Sequence, residues 1–148
     1  EVINSARKLP VEINILITGN NKKYVDNIPK NITFTGFLPD EEFWSILKSA
    51  ECIMVLTKRE DCLVCGAYEG AALKKPLILS NTKLLKSYFN KGCAYVNHDP
   101  ESISSGILEI MNNKEIYSEN METLNKEISN EWKYKADKLN WLINNMIN

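Results

Sequence analysis

Short apolar segments alternate with amphipathic ones along most of the chain. The apolar segments are rich in β-branched and aliphatic side chains, and glycine, proline or polar residues bound them. Runs of this kind and length are typical of strands in a sheet. They predict five strands, at residues 11–18, 32–35, 53–56, 76–79 and 92–96. The run at 53–56 is continuously apolar, so we expect it to be covered on both faces.

Apolar residues between these runs recur at helical spacing. After Pro39, Asp40 is predicted to cap a helix whose apolar stripe is Phe43, Ile46, Leu47 and Ala50. Helices are also predicted at residues 1–9, 65–74 and 83–89 and from 99–101 onward, whereas the polar residues 20–31 predict a loop. The tail, 113–148, is predicted to be helical with a break near Ser129, and Trp132 and Trp141 are expected to pack it against the sheet.

Strands that alternate with helices at this spacing indicate right-handed βαβ units. The predicted fold class is therefore α/β, with an open, doubly wound, mostly parallel sheet of the Rossmann-like type. Ligands of such sheets bind beyond the carboxyl ends of the strands. The loops after Thr18 and after Leu56 are therefore the candidate positions for chemistry.

The length and the charge of the chain limit its classes of partner. Its 148 residues correspond to one domain, and its formal net charge of −1 does not favour a nucleic acid or an anionic membrane as the main partner. The longest apolar runs are much shorter than the roughly 20 residues of a transmembrane helix. No signal peptide opens the chain, so we expect a cytoplasmic protein with reduced cysteines.

Metal-binding residues are few. His98 is the single histidine, and the C-x2-C pair Cys62 and Cys65 has no second pair after it. A structural zinc site normally needs four such ligands, so none is expected here. His98 itself is interpreted as a polar residue at the end of a strand.

The loop after Leu56 leads into a helix that begins near Cys65 and Gly66. Free backbone N–H groups at that end, together with the helix dipole, favour an anion such as a diphosphate. Gly66 would allow a ligand to approach the backbone closely. Glu69 lies one turn further on, where its carboxylate can accept hydrogen bonds from two neighbouring sugar hydroxyls. This arrangement predicts a nucleotide-sugar site.

These residues resemble the donor-binding motif of retaining glycosyltransferases with the GT-B fold, in the large glycosyl transferases group 1, or family 4, type. Seven residues separate Asp61 from Glu69, as in that motif, and Ala71 and Ala72 supply its small residues. The segments 76–81, 35–42 and 99–101 resemble its Pro-led strand with a polar end, its preceding glycine turn and helix, and its late helix start.

The resemblance implies a role for each matching residue. Asp61, near the donor hexose, and Glu69, on the ribose hydroxyls, would be the catalytic pair. The other implied donor-binding residues are Cys62, Leu63, Val64, Cys65 and Gly66 at the sugar and diphosphate, and Gly19, Asn20, Gly36, Phe37 and Leu38 around the nucleotide. Retention without a metal is implied, with no cofactor beyond the nucleotide diphosphate sugar as co-substrate.

The chain departs from the family pattern in three places. Asp61 replaces a glutamate, and Cys62-Leu63-Val64 replaces a glycine-rich stretch. No counterpart precedes Glu1 for the strand and the Arg…Lys pair with which the family begins this domain, nor for its amino-terminal acceptor domain. We therefore expect residues 1–148 to be one donor-binding domain, with 114–148 as a helical extension, that is inactive alone. Peripheral membrane association of the full-length enzyme is compatible with this interpretation.

Two other functions remain open from the sequence. One is a non-catalytic α/β module that binds a nucleotide or a phosphoprotein. The other is a thioredoxin-like dithiol at Cys62 and Cys65, where the helix dipole would stabilise a thiolate. Lys58 and Arg59 could reach a phosphate, although a solvated turn is the commoner fate of such a pair.

Overall fold

The computed structural model describes residues 1–20 and 27–147 of the chain. Strands and helices alternate along most of it. The predicted loop at 20–31 lies partly outside the described residues. The helices are α1 (Val2–Ala6), α2 (Asp40–Ser49), α3 (Cys65–Ala72), α4 (Lys83–Tyr88), α5 (Pro100–Asn112) and α6 (Lys114–Ile147); the strands are β1 (Ile15–Thr18), β2 (Ile32–Gly36), β3 (Ile53–Val55), β4 (Leu77–Ser80) and β5 (Cys93–Val96).

The predicted α/β fold class is confirmed, and every strand pairing within the described residues is parallel. The strands form two sheets rather than one: β1 pairs with β2, and β3, β4 and β5 follow one another in that order. β1 and β3 therefore each leave one edge without a paired strand in the described part of the chain.

β4 lies at the centre of the larger sheet and is buried on both faces. Leu77 and Leu79 pack with Phe89 on the face that α3 and α6 cover. Ile78 points to the other face, where it packs with Ile103 and Ile107 of α5. Successive strand residues point to opposite faces, so this short strand contributes to both core clusters.

β3 differs from its prediction. Only Ile53 is buried, whereas Met54 and Val55 are half-buried. Both faces of β3 nevertheless pack on the core, Ile53 and Val55 on one side and Met54 on the other, so the expected cover is present but incomplete. The physical reason is its position at the edge of the larger sheet, where Met54 lines an open groove.

The helix after Pro39 begins one residue earlier than predicted. Pro39 precedes it in an extended conformation, and the Pro39 carbonyl accepts the Phe43 N–H at 3.0 Å. Asp40 is thus the first helical residue and not the cap, although the acidic first turn is present. The start of α5 is confirmed: Asp99 caps it, with Oδ1 accepting the Ser102 N–H at 2.7 Å.

The tail contradicts two predictions. α6 runs as one helix from Lys114 to Ile147, with no break at Ser129. Its first half is part of the core through Met121 and Leu124. Trp132 and Trp141 are 56% and 64% exposed, so they do not pack against the sheet. The body of the domain ends before the helix does, which leaves every described side chain from Ser129 onward exposed.

Candidate functional site

The connection between β3 and α3 has the shape that the sequence predicted. Val64 is extended, at φ −100° and ψ 133°, and α3 begins at Cys65 without a side-chain cap. The first N–H groups of the helix are therefore not covered by a capping side chain, and such a helix end favours an anion. Leu63 and Val64 are half-buried against the core, which anchors the end of the connection.

The two predicted carboxylates are on this connection and on its helix. Asp61 is exposed in the loop, and Glu69 is half-buried on α3. Within residues 1–20 and 27–147, neither carboxylate has a hydrogen-bond or ion-pair partner in the protein. Both are thus available to an external ligand.

Helix packing also requires glycine at position 66, which the sequence analysis did not recognise. A Cβ there would stand 2.9 Å from Cγ2 of Val55, and a Cβ at Gly70 would stand 2.4 Å from Cδ2 of Leu77. The two glycines are four residues apart and face the strands, so α3 can lie directly on β3 and β4. Close packing of this helix fixes the position of Glu69.

A second group of predicted residues lies at the carboxyl ends of β1 and β2. The Gly19 N–H donates to the Gly36 carbonyl at 2.8 Å, and both glycines have positive φ, +88° and +70°. Phe37 is 85% exposed and Leu38 is half-buried, while Asn20 is exposed and has an interaction within the chain. Parallel pairing has brought these residues together at one edge.

A groove of about 370 Å³ lies between the two sheets. β1 lines it on one side, Met54 and Leu56 line it on the other, and Val2 and Ile3 of α1 also contribute. Its lining is largely apolar, and Leu16 of β1 is 48% exposed there. The groove therefore lies along the edges of β1 and β3 that have no paired strand within residues 1–20 and 27–147.

A polar cavity of about 260 Å³ lies at the carboxyl ends of β3, β4 and β5. Thr57, Ser80 and His98 line it and are hydrogen-bonded to one another. Sequence reasoning gave His98 no role and did not consider Ser80 a site residue. The available signal was their position, since each lies within two residues of the end of a predicted strand.

The cysteines and Lys58 are further residues that could take part in chemistry. All four cysteines are free thiols, with Cys65 exposed and Cys62 half-buried. Lys58 lies 3.7 Å from a carboxylate oxygen of Glu1, and both side chains are exposed. Within the described residues, no three His, Cys, Asp or Glu side chains are grouped so that they could hold a metal ion.

A family model described as glycosyl transferases group 1 matches residues 1–138, which is nearly the whole chain. The chain belongs to the group 1 glycosyltransferase family. No curated protein matches it. In this glycosyltransferase domain, the residues that the resemblance assigned to the donor lie on the connection between β3 and α3, on α3 itself, and at or just after the ends of β1 and β2. Across residues 1–20 and 27–147, no helix has the length and apolar character needed to span a membrane.

Proposed function

We propose that this domain binds a nucleotide diphosphate sugar and is the donor half of an enzyme that transfers the sugar to an acceptor with retention. The observation that carries the proposal is the pair Asp61 and Glu69, two carboxylates without a protein partner in the described residues of a group 1 glycosyltransferase. They flank the start of α3, where an anion is favoured.

Each part of this connection has one role in the proposal. Glu69 accepts hydrogen bonds from the ribose hydroxyls, and Asp61 contacts the hexose. The backbone at residues 62–66 faces the sugar and the diphosphate, while Gly19, Asn20, Gly36, Phe37 and Leu38 line the nucleotide pocket. The protein acts by orienting the donor and stabilising charge on the departing diphosphate, with no metal and no further cofactor.

We further propose that the family's first strand, which carries the Arg…Lys pair, occupies the groove between β1 and β3. Two observations support it: among the described residues both strands have an unpaired edge at this groove, and its lining is largely apolar. A strand there would join the two sheets and bring two cations to the carboxyl ends of the strands. It would precede α1 in the polypeptide and follow the amino-terminal acceptor domain.

The experiment is a titration of the chain with UDP, GDP, UDP-glucose and GDP-mannose, followed by amide chemical shifts. We expect residues 1–148 to bind with a Kd on the order of 1 mM, and ligand at a concentration equal to that Kd stabilises a protein by only about 0.4 kcal/mol. Direct shifts are therefore more informative than thermal stability. Shifts are expected at residues 61–69, 19–20 and 36–38.

Two variants separate the roles of the carboxylates. Glu69→Gln should weaken the binding of bare nucleotide and of nucleotide sugar alike, by roughly tenfold, since the amide has one accepting oxygen and no charge where the carboxylate has two charged acceptors. Asp61→Asn should weaken only the nucleotide sugars. Glu122→Gln, at an exposed position of α6, is the matched control and should bind like the parent.

Two outcomes would contradict the proposal. One is the absence of shifts with every nucleotide even when the family's first strand is restored, which would instead favour a non-catalytic module. The other is equal binding by Glu69→Gln and the parent. We also expect no sugar transfer by the chain alone, and transfer by residues 1–148 would show that the acceptor domain is dispensable.

A further inference from the structure

Thr57 lies two residues after the end of β3. Side chains at the ends of two other strands make hydrogen bonds with both its backbone N–H and its carbonyl oxygen. Its N–H donates to Oγ of Ser80 at 2.8 Å. Its carbonyl oxygen lies 2.8 Å from Nε2 of His98, and the same Nε2 lies 3.1 Å from Oγ of Ser80. Ser80 ends β4 and is 1% exposed, and His98 follows β5.

These partners fix the position of one hydrogen on the His98 ring. A carbonyl oxygen only accepts hydrogen bonds, so the Nε2 atom that faces Thr57 must carry a hydrogen. Oγ of Ser80 accepts the Thr57 N–H with one of its two lone pairs. Its second lone pair can accept the Nε2–H of His98, which it then shares with the Thr57 carbonyl. Both the neutral Nε2–H tautomer and the imidazolium can make this contact.

The side chain of Thr57 is also hydrogen-bonded to the loop that follows. Its Oγ1 accepts the Arg59 N–H at 3.1 Å, which forms the first turn after the strand. Asp61 is two residues further on and has no protein partner of its own in the described part of the chain. The direction in which the loop leaves Thr57 therefore largely decides where the Asp61 carboxylate lies.

We propose that His98 is a positioning residue for glycosyl transfer: with Ser80 it holds Thr57 and thereby orients the loop that carries Asp61 toward the donor. This rests on the proposed role of Asp61 at the hexose. His98 and Ser80 act only through the backbone of Thr57 and contact neither the donor nor the acceptor.

The test compares His98→Ala, Ser80→Ala and the conservative His98→Gln, whose amide can also donate. Asn97→Ala is the matched control: at the same cavity, Oδ1 of Asn97 accepts from Nδ2 of Asn81 at 3.1 Å, and none of the hydrogen bonds of Thr57 within the described residues is to Asn97. For each variant we would measure the free energy of unfolding, the amide shifts and hydrogen exchange of residues 57–66, and the Kd for UDP-glucose and GDP-mannose. In the parent, the ¹⁵N signals of the ring should show Nε2 as the protonated nitrogen when the imidazole is neutral.

If His98 positions the loop, its variants should change the loop signals and the Kd together, which a residue that contributes only to stability would not do. His98→Ala and Ser80→Ala should displace the signals of residues 57–66, accelerate exchange of the Thr57 amide, and raise the nucleotide-sugar Kd by about fivefold. His98→Gln should recover part of each effect. Asn97→Ala should leave the loop signals and the Kd unchanged, even if it lowers stability by a similar amount.

Several outcomes would overturn the proposal: unchanged loop signals in His98→Ala, a Kd that rises no more than in Asn97→Ala, or an Nε2 without hydrogen in the neutral ring. If the parent binds neither nucleotide sugar, the proposed donor site is at fault. The positioning of the loop by His98 is then tested by the amide signals of residues 57–66 alone. If these signals do not move in His98→Ala, that part of the proposal is wrong whether or not the donor site exists.

Discussion

Gly92 lies directly against the backbone of Met121. A Cβ at Gly92 would stand 2.6 Å from the Met121 nitrogen and 2.7 Å from its Cα. Gly92 also has φ +68°, a conformation that other residues adopt only with strain. The turn before β5 therefore requires glycine for two reasons, and the first half of α6 packs tightly onto this turn.

Gly92→Ala should lower the free energy of unfolding by about 3 kcal/mol, the sum of left-handed strain and of a collision that only a backbone shift can relieve. Gly36→Ala is the matched control. Gly36 has φ +70°, and no atom of the described residues lies within 4 Å of where its Cβ would be, so this variant reports the strain alone, about 1 kcal/mol. Urea unfolding gives both values. An equal loss of unfolding free energy in the two variants would show that α6 does not pack closely against Gly92.

Removal of residues 131–148 should change the free energy of unfolding by less than about 1 kcal/mol, because the described side chains there are exposed. Met121 precedes Trp132 by eleven residues, about three helical turns, so the two share a face of α6. Met121→Ala, on the buried part of that face, should cost about 2–5 kcal/mol. A truncation as costly as Met121→Ala would mean that the end of α6 packs on the domain.

The four thiols should react in an order set by their exposure. Cys65 is exposed and should react first with a thiol reagent. Burial raises the pKa of Cys52 to about 11 and of Cys93 to about 12, so both should react slowly until the chain unfolds. Rapid labelling of all four in the folded protein would contradict this order.

The same two thiols predict a loss of stability at alkaline pH. A cysteine of the unfolded chain ionises near pH 8.5, below the folded values of Cys52 and Cys93, so the unfolded state loses protons first as the pH rises. The free energy of unfolding should therefore fall from about pH 8.5 toward the folded pKa values, by up to about 1.4 kcal/mol per pH unit for each thiol. Unfolding titrations at pH 8 to about 10 should show this slope in Cys65→Ala and a flatter one in the double variant Cys52→Ala, Cys93→Ala.

The cap of α5 allows a local prediction. Oδ1 of Asp99 accepts the Ser102 N–H at 2.7 Å, so Asp99→Ala should lower the free energy of unfolding by about 1 kcal/mol. Asp99→Asn keeps an accepting oxygen and should lower the free energy of unfolding by only a few tenths of a kcal/mol. If the two substitutions cost the same, the hydrogen bond is not what stabilises this end of the helix.

The sequence by itself determined the order of the elements and suggested the residues of the candidate site. Apolar runs and helical stripes are local patterns, so the order of strands and helices and the Asp99 cap were predictable from neighbouring residues. The spacing of Asp61 and Glu69 around a strand-to-helix connection is local too. The family assignment, which rests on such segments in order, agreed with the match over residues 1–138.

Only the tertiary structure decided which distant residues meet. Thr57 and His98 are 41 residues apart, and no pattern within one element pairs them. The division into two sheets depends on which strand edges find a partner. α6 has the same helical pattern throughout, yet Met121 is buried and Trp132 is 56% exposed. Helical spacing determines which side chains share a face, whereas the extent of the domain beneath that face determines which of them are buried.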